Sequence, residues 1–524
     1  MSAYSATEPH GVAPERRAEL HRGLITVSIM LATIMQALDT TIANVALPYM
    51  QGSLSAAQDQ IAWVLTSYIV AAAIATPMTG WLVARFGRKR VFLVAVAGFT
   101  VTSMLCGAAM TLSQIVLFRM LQGVFGAALV PLSQAVLLDI NPPQKHGSAM
   151  AIWGAGIMVG PIMGPTLGGW LTDAYNWRWV FYINLPIGIL AFLGILFFVH
   201  ETERDRKRYF DLFGFAMLSL ALGSLQMMLD RGEQKDWFGS TEIVIEAALA
   251  AIGLWVFVVH TATTDRPFFH LSAFRDRNFV TGFLLMFISS AVMYATLALL
   301  PALLAMLDYP VVTTGLVISP RGIATMLGMI LVGKLMGRID MRLILAVGFS
   351  VTAFSLWQMT WYSPDMDWRP IVIAGITQGA GLGFVFVPLS TVAFSTLPSH
   401  LRTEGTAIFN LLRNIGGSMG ISISETMLDR HIQANHASIG EHVSELNRVM
   451  PWADPQHMWS LNSVTGLMQL DQIVNLQASM IAYLDDFMLM TIVCLMALPL
   501  VPLLRPVRHK PVESGDTPTA AALD

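Results

Sequence analysis

The chain has 524 residues, of which 55% are hydrophobic and only 12% are charged, and its mean hydropathy is +0.60. Soluble domains carry about 25% charged residues, so this composition excludes an ordinary soluble protein and predicts an integral membrane protein. The net charge is only −3, and the basic residues are spread over loop ends, so nothing indicates nucleic-acid binding.

The first 23 residues are polar and lack the apolar stretch and cleavage site of a signal peptide, so residues 1–23 are predicted to form a tail. Fourteen apolar segments follow, each near the roughly 20 residues that a helix needs to cross a bilayer. These segments are 24–48, 61–84, 91–111, 114–138, 148–172, 179–199, 212–229, 243–262, 279–303, 313–336, 343–362, 370–396, 405–427 and 481–504. Most of the 31 Lys and Arg lie on one side of them, which predicts that both termini are cytoplasmic.

Short motifs recur in the same order at nearly constant spacing. GWLVAR (80–85) returns as GKLMGR (333–338), and QGVFGAALVPLS (122–133) returns as QGAGLGFVFVPLS (378–390). Such repeats predict two related six-helix bundles, at 24–199 and 279–504, as in major facilitator transporters. The region 200–278 would then hold two inserted helices with flanking loops, and 505–524 would be a cytoplasmic tail. The predicted fold is therefore an all-α membrane protein of two six-helix bundles and two inserted helices.

The first span contains LDTTIANVALP, which places Asp39 in an otherwise apolar helix, and the fourth span contains Arg119. Both lie at comparable depth in the outer half of the membrane, counting 1.5 Å per residue. A carboxylate in a low dielectric binds a proton more readily, and a nearby guanidinium opposes this, so a changing distance between them would couple proton binding to movement. The alternative is a permanent structural pair. The polar residues predicted to support the coupling are Gln36, Asn44 and Gln122.

Two further motifs are predicted to serve conformational change. The loop GWLVARFGRKR carries Gly80, Arg85, Gly87 and Arg88, and Asp139 at the inner end of the fourth span is a candidate partner for Arg88. The fifth span, GAGIMVGPIMGPTLGG, has glycines every four residues, which form one flat face, and two prolines, which favour a bend. We expect this face to seal the contact between the halves. Its residues are Gly156, Gly160, Pro161, Gly164, Pro165 and Gly168.

Candidate substrate contacts are polar or aromatic residues within the spans: Trp63, Tyr68, Gln378, Arg413 and Asn414. The abundant Met residues suit an adaptable apolar pocket, although most are simply membrane-facing filler. Residues 428–480 are predicted to be the one long outer loop. Its histidines are irregularly spaced and without cysteine companions, so no metal site is predicted.

Together these motifs, with FRMLQGVFGA, WRWVFYINLPIG and NLLRNIGGSMG, resemble those of the fourteen-helix drug:proton antiporter family of the major facilitator superfamily. The resemblance extends from about residue 23 to residue 504. It implies export of lipophilic or cationic small molecules across a bacterial inner membrane, with the proton gradient as energy source and no cofactor. Where the family carries an Asp that latches the inner gate, this chain has Ala84, which puts that latch in doubt.

The resemblance also implies a periplasmic adaptor and an outer-membrane channel as partners, with 428–480 as the docking surface; a plain solvated loop is the alternative. The chain lacks the GxxxxGK[ST] motif that binds nucleotides, and it lacks HExxH and CxxC, so a secondary transporter is favoured over an ATP-driven pump or an enzyme. A transporter of one specific metabolite, an importer, and a transport-inactive sensor remain the rival functions.

Overall fold

The computed structural model describes residues 14–142, 145–202, 204–205, 209–264, 267–268, 274–336, 338–398, 402–443 and 463–505, and its regular structure is helical. In chain order the α-helices are α1 (Pro14–Leu54), α2 (Gln58–Ile61), α3 (Trp63–Ala75), α4 (Met78–Phe86), α5 (Arg88–Ala108), α6 (Leu112–Gly126), α7 (Leu129–Ile140), α8 (His146–Ile157), α9 (Val159–Ala174), α10 (Trp179–Tyr182), α11 (Asn184–Phe198), α12 (Leu212–Arg231), α13 (Thr241–Thr263), α14 (Arg277–Met306), α15 (Val311–Leu335), α16 (Met341–Met359), α17 (Trp368–Ser395), α18 (Arg402–Gly440) and α19 (Val464–Met496). Short 3₁₀ helices lie at Glu233–Lys235, Trp237–Gly239 and Leu498–Leu503.

The predicted spans correspond to these helices. Within the described ranges, twelve helices are long and apolar enough to cross a membrane, and the bent pair α3–α4 makes a thirteenth. The one remaining predicted span, 405–427, lies in α18, whose 39 residues exceed the length of a span. Polar residues along this segment, including Asn410, Arg413 and Asn414, make it less apolar than the other spans.

Several spans are broken where prolines remove helix hydrogen bonds. The 56° bend between α3 and α4 lies at Pro77. The break between α6 and α7, at residues 127–128, begins four residues before Pro131, and the break at Met158 between α8 and α9 precedes Pro161. Proline cannot donate a hydrogen bond to the carbonyl four residues earlier, and its ring clashes with that carbonyl. The helix therefore bends or breaks at these positions.

The two halves use equivalent helix pairs. In the first half α1 packs along α9, and α6 packs along α3 and α5. In the second half α14 packs along α18, and α17 packs along α15 and α16. In each bundle, the first span packs against the fifth, and the fourth span packs against both the second and the third. This matched packing has the arrangement expected for a repeated six-helix unit.

The inserted helices α12 and α13 pack against each other, and α12 also contacts both halves. Towards the first half, the hydroxyl of Thr66 donates to the carboxylate of Asp230. Towards the second half, Nε2 of Gln226 donates to the hydroxyl of Ser418 at 2.8 Å. The insert therefore lies beside the junction of the halves.

The region 428–480 differs from its prediction as a loop. α18 continues to Gly440, and α19 begins at Val464. At 1.5 Å per residue the two helices are roughly 50 to 60 Å long, which exceeds the roughly 30 Å hydrocarbon core. Both helices therefore continue beyond the bilayer. Polar side chains can face water there while the backbone keeps its helical hydrogen bonds. Residues 444–462, in the middle of the predicted loop, lie outside the described ranges.

Candidate functional site

A buried ion pair joins α1 to α6 inside the first half. The Asp39 carboxylate oxygen Oδ2 lies 2.6 Å from Nη1 of Arg119, and neither side chain is more than 1% exposed. Gln122 and Asn184 each donate a side-chain N–H to Oδ1 of Asp39 at 2.8 Å. Three donors thus surround one carboxylate, which compensates for its removal from water.

The guanidinium of Arg119 is equally well satisfied. Its Nε donates to the carbonyl of Val64 at 3.1 Å, and its Nη1 also donates to Oε1 of Gln122 at 2.8 Å. The rings of Tyr68 and Phe181 lie 4.5 and 5.6 Å from Cζ of the arginine, within cation–π distance. Tyr68, predicted as a substrate contact, is buried and packs against the arginine.

Asn184 is a member of this site that the sequence analysis did not assign. It begins α11, is fully buried, and its Nδ2 donates both to Asp39 and to the hydroxyl of Ser103 at 2.9 Å. Ser103 in turn donates to the carbonyl of Phe181 at 2.9 Å. The sequence feature that could have identified Asn184 is its position as an asparagine in an apolar span, within the family motif WRWVFYINLPIG.

The two other residues predicted to support Asp39 lie elsewhere. Gln36 donates from Nε2 to the hydroxyl of Tyr68 at 3.4 Å, so it contacts the site only through the tyrosine. Asn44 is exposed and makes no hydrogen bond to Asp39, so its assignment to the coupling site was wrong. Five residues along a helix correspond to a rotation of about 140° from Asp39, and this turns Asn44 to another face.

The predicted substrate contacts do not form one cluster. Trp63 packs against the insert, with Cζ of Arg231 5.2 Å from its ring. Gln378 is fully buried and donates to the hydroxyl of Thr296 at 3.1 Å. Arg413 and Asn414 are partly buried on α18, and their side chains make no hydrogen bond within the described ranges.

An ion-pair cluster joins the halves at the end of the bundle that holds Asp139, here called the Asp139 end. Asp139 lies 2.6 Å from Nη2 of Arg88, as the sequence had suggested, and 3.0 Å from Nη1 of Arg402. Arg88 belongs to the first half and Arg402 to the second. Nearby, Nδ2 of Asn410 donates to Oε1 of Gln134 at 2.6 Å, which also crosses between the halves. These contacts hold the Asp139 end closed.

The glycines of the α4–α5 motif serve the backbone and the close approach of helices. Gly87 has φ +91°, a left-handed conformation that other residues rarely adopt. A Cβ on Gly80 would lie 3.3 Å from the Cα of Glu404, so α4 runs close against the start of α18. Arg85 lies over the ring of Trp81 at 5.8 Å, apart from the ion pairs of Asp139.

The glycine face of α8 and α9 packs against α1 within the first half, and the prediction that it seals the two halves was wrong. A Cβ on Gly160 would lie 2.7 Å from the backbone of Ala37, and one on Gly164 would lie 2.1 Å from Oγ1 of Thr41. The hydroxyl of Thr41 also donates to the carbonyl of Gly160 at 3.1 Å. The glycines at 156 and 168 face α1 as well. A four-residue spacing defines a face but does not identify the helix that covers it.

Another part of the same helices reaches the second half. A Cβ on Gly322 of α15 would lie 2.3 Å from Ile162, and one on Gly333 would lie 2.6 Å from Ala151. The side chain of Pro165 lies outside the described part of the chain. The α8–α9 pair therefore stands between α1 on one side and α15 on the other.

Another buried carboxylate lies in α19 and was not singled out from the sequence. Asp486 is 1% exposed, and neither carboxylate oxygen has a hydrogen-bond partner in the described ranges. Charged residues near the end of a span usually extend to the interface, so the burial of this one was not evident from its position at the start of segment 481–504.

Comparison with known proteins gives consistent results. The model of the Major Facilitator Superfamily matches residues 29–421. The multidrug export protein EmrB of Haemophilus influenzae is 38% identical over 81% of this chain and 84% of its own length. The fatty acid resistance protein FarB of Neisseria gonorrhoeae is 35% identical over 93% of this chain and 96% of its own. A crystal structure of XylE with two tryptophan substitutions aligns with a TM-score of 0.61 at 13% identity, covering 94% of this chain and 97% of that one.

Proposed function

The chain belongs to the major facilitator superfamily, and we propose that it is a proton-coupled exporter of structurally diverse, lipophilic or cationic small molecules. Multidrug export is the function named for EmrB, a relative that matches over most of both chains. The observation that carries the proton coupling is the fully buried Asp39 with its three N–H donors. Ionisable residues inside membranes are functional by default, since a purely structural charge there is costly.

In this proposal Asp39 carries the proton and Arg119 controls its affinity. In the structure the guanidinium of Arg119 is paired with the carboxylate of Asp39, and this ion pair competes with protonation of the carboxylate. A proton can bind once the distance from Asp39 to Arg119 increases or water enters. Proton binding then removes the charge that holds α1 to α6, so the two events depend on each other.

The broken helix α8–α9 is proposed as the mechanical link between this pair and the second half. Every partner of Asp39 belongs to the first half, so rocking of the halves as rigid bodies would leave the ion pair unchanged. α9, however, contacts α15 through Ile162 and contacts α1 at Ala37 and Thr41, on either side of Asp39. Movement of α15 would therefore shift α1 at the level of the carboxylate.

The proposed export function also suggests how the protein is oriented in the membrane and which proteins it contacts. We propose that both termini and the Asp139 end face the cytoplasm of a bacterium, because the basic loops lie on that side. The helical extensions beyond residue 428 and before residue 481 then project into the periplasm, where an adaptor that leads to an outer-membrane channel would dock. Photo-crosslinking from the exposed Gln433 to a co-expressed adaptor, with exposed Lys334 on α15 as the negative control, tests this docking.

The coupling is tested in proteoliposomes by uptake of a lipophilic cationic dye driven by an imposed proton gradient. We expect Asp39→Asn to bind dye but to lose gradient-driven uptake, because the amide cannot carry a proton. Asp39→Glu, which keeps the carboxyl group, is the matched control and should retain part of the uptake.

Unchanged uptake in Asp39→Asn would make the Asp39–Arg119 pair structural and refute the coupling role. Dye binding without gradient-driven uptake in the parent would favour a transport-inactive sensor. Absence of both in the parent would favour a transporter specific for one metabolite.

A further inference from the structure

The second half contains a buried arginine that has no acidic partner among the described residues. Arg321 on α15 is 6% exposed, and it makes no ion pair within the described part of the chain. Its Nη2 donates to the carbonyl of Met293 at 3.2 Å, whereas its Nη1 has no hydrogen-bond partner there. A guanidinium removed from water normally has all its N–H groups paired, so this one has unused capacity for an acceptor.

The internal repeat places Arg321 at the counterpart of the Asp39 site. The matching Gln-Gly pairs align Gln122 with Gln378, and three residues earlier they align Arg119 with Gly375. A Cβ on Gly375 would lie 3.6 Å from the Cβ of Arg321. Arg321 on α15 therefore lies next to Gly375 on α17, the residue that the repeat aligns with Arg119.

The acidic member is missing from this second arrangement. Aligning Leu47-Pro48 of the first half with Leu300-Pro301 of the second places Val292 at the position of Asp39. Arg321 donates to the backbone of the next residue, Met293. The aligned glutamine, Gln378, also has a buried Oε1 for which the described residues supply no hydrogen-bond partner. The second half thus retains a buried arginine and a buried glutamine, with a valine where the first half has its carboxylate.

We propose that Arg321 binds the acidic group of the substrate, and that the substrates include amphipathic monocarboxylates. A carboxylate would accept N–H bonds from the guanidinium, as Asp39 does from Arg119. The adjacent Gly322 contacts Ile162 of the first half, so the bound acid would lie at the junction of the halves and become accessible when they separate. This inference rests on the proposed export function and deepens it by assigning a binding residue for anionic substrates, the class to which the fatty acids in the name of the relative FarB belong.

The close packing of α15 gives the arginine a defined position. A Cβ on Gly379 would lie 2.1 Å from the carbonyl oxygen of Arg321, so α17 approaches the α15 backbone directly at this residue. The backbone from which the guanidinium extends is therefore fixed before a ligand arrives, which lowers the entropy cost of binding.

The test compares dansyl-undecanoic acid with its methyl ester, which has the same apolar body without the charge. Binding is measured on the full chain in nanodiscs of zwitterionic lipid. We expect the parent to bind the acid about tenfold tighter than the ester, Arg321→Met to bring this ratio close to one, and Arg321→Lys to lie between. Lys334→Met, which removes an exposed cation from the same helix, is the matched control and should keep the parental ratio.

Equal binding of acid and ester by the parent would overturn the proposal. A parallel loss of both in Arg321→Met would also overturn it, since that result indicates a structural role. If anionic phospholipid in the nanodisc abolishes the preference, the guanidinium binds a lipid head group and the substrate assignment is wrong. Arg321-dependent acid binding without gradient-driven transport would support the site while refuting the export function.

Discussion

Breaking the ion pair between Asp139 and Arg402 should shift the protein toward states in which the Asp139 end is open. Asp139 has two partners, but only Arg402, at 3.0 Å, belongs to the other half. Arg402→Gln removes the pair that crosses the junction and leaves the 2.6 Å pair with Arg88 in place. Arg88→Gln is the matched control, because it removes a pair of the same aspartate within one half.

The size of the effect follows from the exposure of the groups. The side chains of Arg402 and Asp139 are 20% and 27% exposed, so solvent screens their attraction. Pairs of this kind contribute about 0.5 to 1 kcal/mol. At about 1.4 kcal/mol per factor of ten, the open population should rise roughly two- to fivefold in Arg402→Gln.

Electron-electron distance measurements between spin labels on the two halves at the Asp139 end provide the assay. The background for labelling is simple, because the chain has only Cys106 and Cys494 and both are buried. We expect a larger open fraction in Arg402→Gln than in Arg88→Gln, and a smaller difference at high salt because salt screens exposed pairs. Equal shifts in the two variants, or no shift in Arg402→Gln, would refute the assignment of Arg402 as the latch between the halves.

Two further predictions concern the contacts of α1 and Asp39. Gly160→Ala should destabilise the protein by about 1 to 3 kcal/mol and reduce gradient-driven transport, because the added Cβ would lie 2.7 Å from the backbone of Ala37. Gly169→Ala is the control: a Cβ there would meet nothing within 4 Å in the described part of the chain, so thermal unfolding and transport should be unchanged. Equal behaviour of the two glycine variants would contradict the close packing of α9 on α1. Asn184→Ala should cost about 1.5 to 3 kcal/mol in thermal unfolding, since it removes a hydrogen bond to a charged carboxylate. Parental stability in that variant would mean that Asn184 does not support Asp39.

Much of this protein is determined by local properties of its sequence. Apolar segments of sufficient length must form helices in a bilayer, because no water is present to satisfy the backbone groups, and this placed all the predicted spans on helices of the structure. Asp39 and Arg119 stood out for a related reason, since each is a charge in an apolar segment. The matched motifs in the two halves indicated the repeat, because they recur at a nearly constant spacing.

Only the tertiary structure decided which face of each helix meets which neighbour. It brought Asn184 to Asp39 across 145 residues, turned Asn44 away, and laid the glycine face of α9 on α1 rather than on the second half. It also left Arg321 buried without an acid, which becomes visible when its contacts are compared with those of Arg119. Hydropathy and spacing describe one helix at a time, whereas these contacts depend on the packing of helices that are distant in the chain.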